Sequence, residues 1–328
     1  MMALGRLRGR LIGYPWPVPL LIVGQALLAT GTGVVFPFLS LYATSAFGAD
    51  VATAGVVGSA YFAAGIPAAP IAGVVADRVG RRWVLVTAVL GYASAVAVMA
   101  AAPSLAVLVG AALVAGFAVA SVHTVNAAVV ADAVPAERRG QAYGLVYQAL
   151  GLGWFLGPLV AAPFLFAGAY RVAFAVVAAA IALAGTLYAL RLPETRPRPV
   201  PGTPEPAAGS GRTSGIGARR RWWNDPRLLA YAALQMLTIG SYLQLFMIFP
   251  VDAADRLGVG PGSWAVILSI NGLLILAGQG VVSRAVARFR KPAAVAGGVL
   301  LWSVGFVILA LPIPLLVVAV ALVILTAG

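Results

Sequence analysis

Residues 73–82 read GVVADRVGRR, placing Asp77 and three arginines, Arg78, Arg81 and Arg82, between two long apolar runs at 51–76 and 83–102. Hydrocarbon offers no partner for backbone N–H and C=O groups, and about 20 apolar residues span it as a helix. The stretch therefore reads as a charged loop joining two membrane-spanning helices. Working outward gives further apolar segments at 17–43, 104–131, 141–166, 170–190, 228–250, 263–283, 293–311 and 314–328. Overall 62% of the 328 residues are hydrophobic and 9% are charged, against about 25% charged in a soluble domain. The fold class expected is all-α integral membrane.

The chain carries a net charge of +13, which in a soluble protein would raise nucleic-acid binding. Its placement says otherwise. With the N-terminus cytoplasmic, 20 of the 22 basic residues fall on that side, leaving only Arg171 and Arg256 outside. This is a positive-inside pattern, so the expected site is the cell (inner or plasma) membrane, multi-pass, with lipid headgroups and not nucleic acid as the basic residues' partners. Arg6, Arg8 and Arg10 precede the first apolar run in the manner of a signal peptide, but the run is too long and nine similar ones follow. There is no cysteine, which removes disulfides and thiolate metal sites. No cofactor or metal is expected.

Residues 193–221, PETRPRPVPGTPEPAAGSGRTSGIGARRR, have almost nothing to bury. They predict a cytoplasmic linker over 191–227, disordered by composition. It separates a six-helix bundle at 1–190 from a second, incomplete bundle at 228–328. Pro17 to Asp77 is 60 positions and Leu228 to Arg284 is 56, with a basic loop after the second span of each half, which suggests duplication. The run from Pro314 to Gly328 has 15 residues, short of a span, and the natural chain is expected to continue.

The loop GVVADRVGRR resembles the G-x-x-x-D-R-x-G-R-R/K signature of the major facilitator superfamily (MFS), in the place where that family carries it. The resemblance implies two pseudo-symmetric six-helix bundles and transport by alternating access. It also implies a gating role for Gly73, Asp77, Arg78, Gly80, Arg81 and Arg82. Read directly, Gly73 lies one turn before Asp77 and would let the helix approach a neighbour closely. A purely topological anchor explains the arginines but not Asp77 and the glycines. The corresponding loop GVVSRAVARFRK, from Gly280, has Arg284 in place of the acid and reads as an anchor.

ADAVPAERRGQAYG, residues 131–144, is similar to the family's helix 4–5 loop through Asp132, Pro135, Arg139 and Gly140. Glu137 beside Arg138 and Arg139 allows surface pairing of small value. GWFLGPLVAA, from Gly153, resembles the helix 5 signature of drug antiporters through Gly153, Gly157 and Pro158, with Ala161 and Ala162 replacing its last glycines. That resemblance implies efflux and multidrug resistance; small-residue packing alone is the plainer reading. Proton-coupled exporters carry an arginine four residues before a helix 4 glycine. If Gly116 is that glycine, Ala112 stands there, and no charge lies in mid-span, where proton relays usually place one.

The fold places helices 1, 4, 7 and 10 around the cavity, as the resemblance implies. Their polar residues, Gln25, Thr32, His123, Asn126, Gln235, Thr238 and Tyr242, are candidates for a neutral substrate site or for plain interhelical hydrogen bonds. His123 is the only histidine and could couple transport to protons. Tyr143, Tyr147 and Trp154 share one face of helix 5. Trp16, Trp83, Trp222, Trp223 and Trp264 read as interfacial anchors. The expected function is efflux of a drug-like or amphipathic small molecule by a monomer. Uptake of a sugar or neutral metabolite is an alternative, and a non-transporting sensor on a transporter fold is a third reading. With no paired intramembrane carboxylates or histidine cluster, no enzyme is expected.

Overall fold

The computed structural model describes residues 14–196, 225–286 and 291–311. The described chain is helical and has no strand. In order, the helices are α1 (Pro17–Phe47), α2 (Val51–Val79), α3 (Arg81–Ala101), α4 (Leu105–Ala133), α5 (Ala136–Phe166) and α6 (Tyr170–Arg191). Then come α7 (Pro226–Met247), a short helix (Phe249–Leu257), α8 (Pro261–Val286) and α9 (Lys291–Ala310). Over the described residues, seven helices are long and apolar enough to cross a membrane. The apolar run at 314–328, Arg6, Arg8, Arg10, Trp222, Trp223 and most of the 191–227 linker lie outside the described residues, as do Arg288 and Arg290 of the second basic loop.

Local chemistry sets the boundaries. Asp50 caps α2 by accepting the Thr53 N–H at 2.9 Å, and Ser104 does the same for Val107 at the start of α4. Pro135 precedes α5, which begins at Ala136, five residues before the apolar run expected from 141. Its first turn, carrying Glu137 and both arginines, extends past the hydrophobic segment. Gly48 ends α1 with φ of 64°, the left-handed conformation that a side chain would strain. Within α1, Pro37 lacks an N–H and the helix tightens to a 3₁₀ turn at Phe36–Phe38. α7 breaks at Ile248, just before Pro250, where the sequence had suggested a helix continuing to 250.

The packing rests on glycines where backbones meet. A Cβ on Gly153 would lie 2.3 Å from Ala29 Cβ, and one on Gly157 would lie 2.7 Å from Gly33 Cα. α5 therefore lies directly on α1. A Cβ on Gly116 would lie 1.7 Å from the Tyr61 carbonyl oxygen, so α4 lies against α2 in the same way. Association in lipid depends on such close van der Waals contact, since hydrocarbon gives no hydrophobic drive between helices. Across the two parts of the chain, α8 packs on α5, with Gly272 facing the Phe155 backbone and Gly262 facing the Phe166 ring.

Two readings change. Trp264 is not an interfacial anchor: it is 1% exposed and packs 5.3 Å from the Phe249 ring, because the short helix after α7 folds back over the start of α8. Gly73 does not allow a tight approach among the described residues, since a Cβ there would meet only Thr124 Cγ2 at 4.0 Å. Trp16 and Trp83, by contrast, are exposed, Trp83 beneath the Arg82 guanidinium at 5.1 Å.

Gly116→Ala should force α4 off α2 and cost about 1–3 kcal/mol, visible as a melting temperature in detergent lower by several degrees. Gly110→Ala, whose Cβ meets no atom within 4 Å, should leave it unchanged. Equal shifts for both would contradict the packing described.

Candidate functional site

The α2–α3 turn is a lattice of charges, and it is not closed by the signature residues alone. Arg81 pairs with Asp77 one turn back on α2, and its Nε donates to Asp132 Oδ2 at 2.9 Å, tying α3 to the end of α4. Asp77 itself is largely open, its side chain 70% exposed.

The first residues after α6 supply the other half. The Glu194 carboxylate accepts the backbone N–H of Arg81 at 2.9 Å and of Arg82 at 3.3 Å. These are the first donors of α3, which have no partner within the helix. Arg196 donates Nη1 to the Arg78 carbonyl at 2.8 Å, at the opposite, acceptor-rich end of α2. An acid thus sits on a helix N-terminus and a base on a helix C-terminus, each matched to the dipole there. Gly80 makes room: its φ is 113°, and a Cβ would fall 2.3 Å from Glu194 Oε2. Arg82 then donates Nη2 to Ala189 O at 2.5 Å. The linker expected from Arg191 begins, over 192–196, as a docked segment. Arg139 in the α4–α5 loop donates Nε to Val134 O at 3.0 Å, and Arg138 lies 4.6 Å over the Tyr14 ring.

Deeper in the molecule lie two adjoining cavities. One, of about 250 Å³, lies among α1, α2, α4, α5 and α7 and is walled by Thr32, Phe36, Tyr61, Phe62, His123 and Trp154. The other, of about 610 Å³, runs from Leu150 toward the α4–α5 loop past His123, Asn126, Tyr143 and Tyr147. Gln25 and His123 line both. His123 presents its imidazole to the cavities and makes no hydrogen bond among the described residues. Asn126 Nδ2 donates to Gln25 Oε1 at 2.7 Å. The far end of the smaller cavity is shut by rings: Phe36, Trp154 and Phe246 form a triangle with centroids 5.4–6.0 Å apart, and Tyr242 stacks on Trp302 at 4.9 Å beyond it.

Gln25, Thr32, His123 and Asn126 thus come together as the sequence suggested, and Tyr143, Tyr147 and Trp154 face the same space. Tyr242 lines a third cavity of about 330 Å³ between α5, α7 and α8, with Asn271. Gln235 and Thr238 are not brought to any of these three walls, and Thr238 bonds its hydroxyl to Leu234 O. Thr32 likewise bonds to Leu28 O at 3.0 Å. Phe36, Tyr61, Phe62 and Phe246 were missed, because apolar rings carry no sequence mark that separates a cavity wall from lipid-facing surface. Glu194 was missed although a signal existed: it is one of only 9 acidic residues, immediately after a helix that ends beside Arg81 and Arg82.

Burial pushes Glu194 up, but the N–H donors of Arg196, Arg81, Arg82 and Thr195 outweigh it and hold the carboxyl below its ordinary value. A depressed folded pKa stabilises above the unfolded value and is lost as pH falls through the folded one. Amide exchange at Arg81 and Arg82, corrected for intrinsic rates, should stay slow from neutral pH down to the ordinary carboxylate range and speed up below it. Glu194→Ala should exchange fast throughout, and unchanged protection in that variant would contradict the cap.

The model of the Major Facilitator Superfamily matches residues 21–328. An uncharacterized MFS-type transporter YqjV of Bacillus subtilis (strain 168) is 24% identical over 277 residues, 82% of this chain and 64% of the relative. The chain thus spans just under two thirds of that relative's length. The class C tetracycline resistance protein of Escherichia coli is 33% identical over 143 residues, 43% of this chain and 36% of that one. Among solved structures, a bacterial homolog of the human lysosomal transporter Spinster, in an inward-facing and unoccupied conformation, aligns with a TM-score of 0.73 at 17% identity, covering 95% of this chain and 72% of that one. On the family match over nearly its whole length, with the multi-pass helical fold above, this chain belongs to the Major Facilitator Superfamily and is not an enzyme.

Proposed function

We propose that the chain forms the body of a secondary transporter that exports a small, largely apolar molecule from the cytoplasm by alternating access. The observation that carries this reading is the pair of cavities around His123. They extend toward the basic-loop end and are closed by the Phe36–Trp154–Phe246 rings at the other. Taking the basic loops as cytoplasmic, this is the shape of a site loaded from inside.

The bundle of α1–α6 and the helices from α7 onward act as the two rocking halves, joined by the linker over 191–227. Their contact runs through rings and through α8 on α5. The latch of Asp77, Arg81 and Asp132, capped by Glu194 and Arg196, holds the ends of α2, α3 and α4 together as one rigid body during that motion. Gly153, Gly157 and Pro158 put α5 against α1, so the helix that carries the ring wall moves with the helix that carries Gln25. The similarity to a tetracycline resistance protein of Escherichia coli supports a drug-like cargo. Among the described residues, His123 is the one side chain on the two cavity walls whose ordinary titration lies near neutral pH, and it gives proton coupling a group to act through.

Export is tested by flux. Inverted membrane vesicles holding the protein should accumulate a lipophilic test compound when a pH gradient is imposed. Asp77→Asn should reduce the rate at least several-fold, and His123→Ala should remove the dependence on the gradient. Gradient-driven entry of a sugar instead, or saturable binding with no flux of any compound, would refute export.

A further inference from the structure

Two buried polar atoms on these cavity walls lack partners among the described residues, Gln25 Nε2 and Asn126 Oδ1. Both side chains line the cavities and are buried, Gln25 2% and Asn126 3% exposed, while the nearby hydroxyls of Tyr61, Tyr92 and Thr32 engage one another. A buried polar group without a partner is costly, and in lipid-surrounded protein such groups are normally satisfied. Gln25 and Asn126 are especially informative. Two primary amides can pair through two hydrogen bonds and satisfy each other, yet here they share one, from Asn126 Nδ2 to Gln25 Oε1. The outcome is the same when both amides are turned together. Exchanging nitrogen and oxygen in both still leaves one N–H donor set and one carbonyl acceptor unused.

We infer that these cavities take an uncharged ligand carrying a planar group with donor and acceptor side by side, of the carboxamide, lactam or urea class, attached to an aromatic body. This deepens the export reading and rests on it. The half-made amide pair is completed by such a group: its carbonyl accepts from the free N–H of one amide and its N–H donates to the free carbonyl of the other. The terminal amide torsions are soft, so each side chain can turn its unused atom from the wall toward a ligand. His123 presents a ring nitrogen to both cavities. The ring wall of Phe36, Phe62 and Trp154 takes the aromatic body by edge and face contact.

Charge argues against the alternatives. Among the described residues no Asp, Glu, Lys or Arg lines either cavity, so these walls offer a cationic or anionic ligand no counter-ion. The same walls give the neutral amide every partner it needs.

The test is equilibrium binding to the purified protein in lipid nanodiscs, using tritiated 2-naphthamide as probe. Its charged counterparts, 2-naphthylmethylammonium and 2-naphthoate, serve as competitors. Saturable binding of the amide is expected, with each charged competitor at least tenfold weaker. The double variant Gln25→Leu with Asn126→Leu removes both partners together and leaves no orphaned amide, so its fold should survive. It should bind the amide at least tenfold more weakly, and a melting curve like the native one confirms that the protein is intact. If the double variant fails that check, Gln25→Glu is used instead: a buried negative charge at the same place should reverse the order, favouring the ammonium over the amide. A charged probe bound as tightly as the amide, native-strength binding in the double variant, or uptake of label that never saturates would each overturn the assignment. Flux of a compound that the ammonium blocks and the amide does not would remove this ligand class and leave export standing. Tight amide binding without flux of any compound would remove export and leave the ligand class standing.

Discussion

The contact of α5 on α1 is what the rest of the molecule depends on. Gly153 and Gly157 leave the backbone of one helix against the backbone of the other at Ala29 to Gly33, and that fixes where every cavity side chain points. Gln25, Thr32 and Phe36 come from α1; Tyr143, Tyr147 and Trp154 come from α5. A larger residue at either glycine would part the helices and open the wall. The same device at Gly116 holds α4 on α2 and brings His123 and Asn126 to face Gln25. Lipid rewards such contacts because it supplies no competing hydrophobic force between helices.

A second constraint acts at the charged end. Helix termini leave donors and acceptors that hydrocarbon cannot satisfy, and a short turn between two spans brings two of them together. This chain resolves the turn with residues from elsewhere: Glu194 takes the exposed donors of α3, Arg196 takes a carbonyl of α2, and Asp132 takes the Arg81 guanidinium. The signature residues of the loop are thus half of a structure whose other half lies 50 to 120 positions away in sequence. The segment after α6 is thus hydrogen-bonded to both sides of the α2–α3 turn.

Much of this architecture was legible in the sequence, and for physical reasons. Long apolar runs can only be helices in lipid, so the spans from 17 through 311 were readable to within a few residues, except where Pro37 and Pro250 altered a helix internally and where α5 reached outward past its apolar run. The loop charges announced the superfamily. Polar residues inside apolar helices are costly enough that Gln25, His123 and Asn126 stood out, and they do meet. Spacing alone could not tell that Thr238 would spend its hydroxyl on its own helix, that Gly73 would meet only the tip of Thr124, or that Trp264 would be covered by the fold-back after α7. Each of those depends on how helices rotate against one another. Aromatic wall residues were illegible because a phenylalanine facing a cavity and one facing lipid are the same residue in sequence.

The central claim is that the space between α4 and α5 is water-accessible from the basic-loop side, taken as cytoplasmic by the positive-inside pattern. The chain has no cysteine, so Tyr147→Cys gives a single thiol at a side chain that is 68% exposed and lines two of the cavities. A membrane-impermeant maleimide should label it readily in inverted vesicles and hardly at all in right-side-out vesicles. Labelling chiefly from the opposite side, or from neither, would contradict the account.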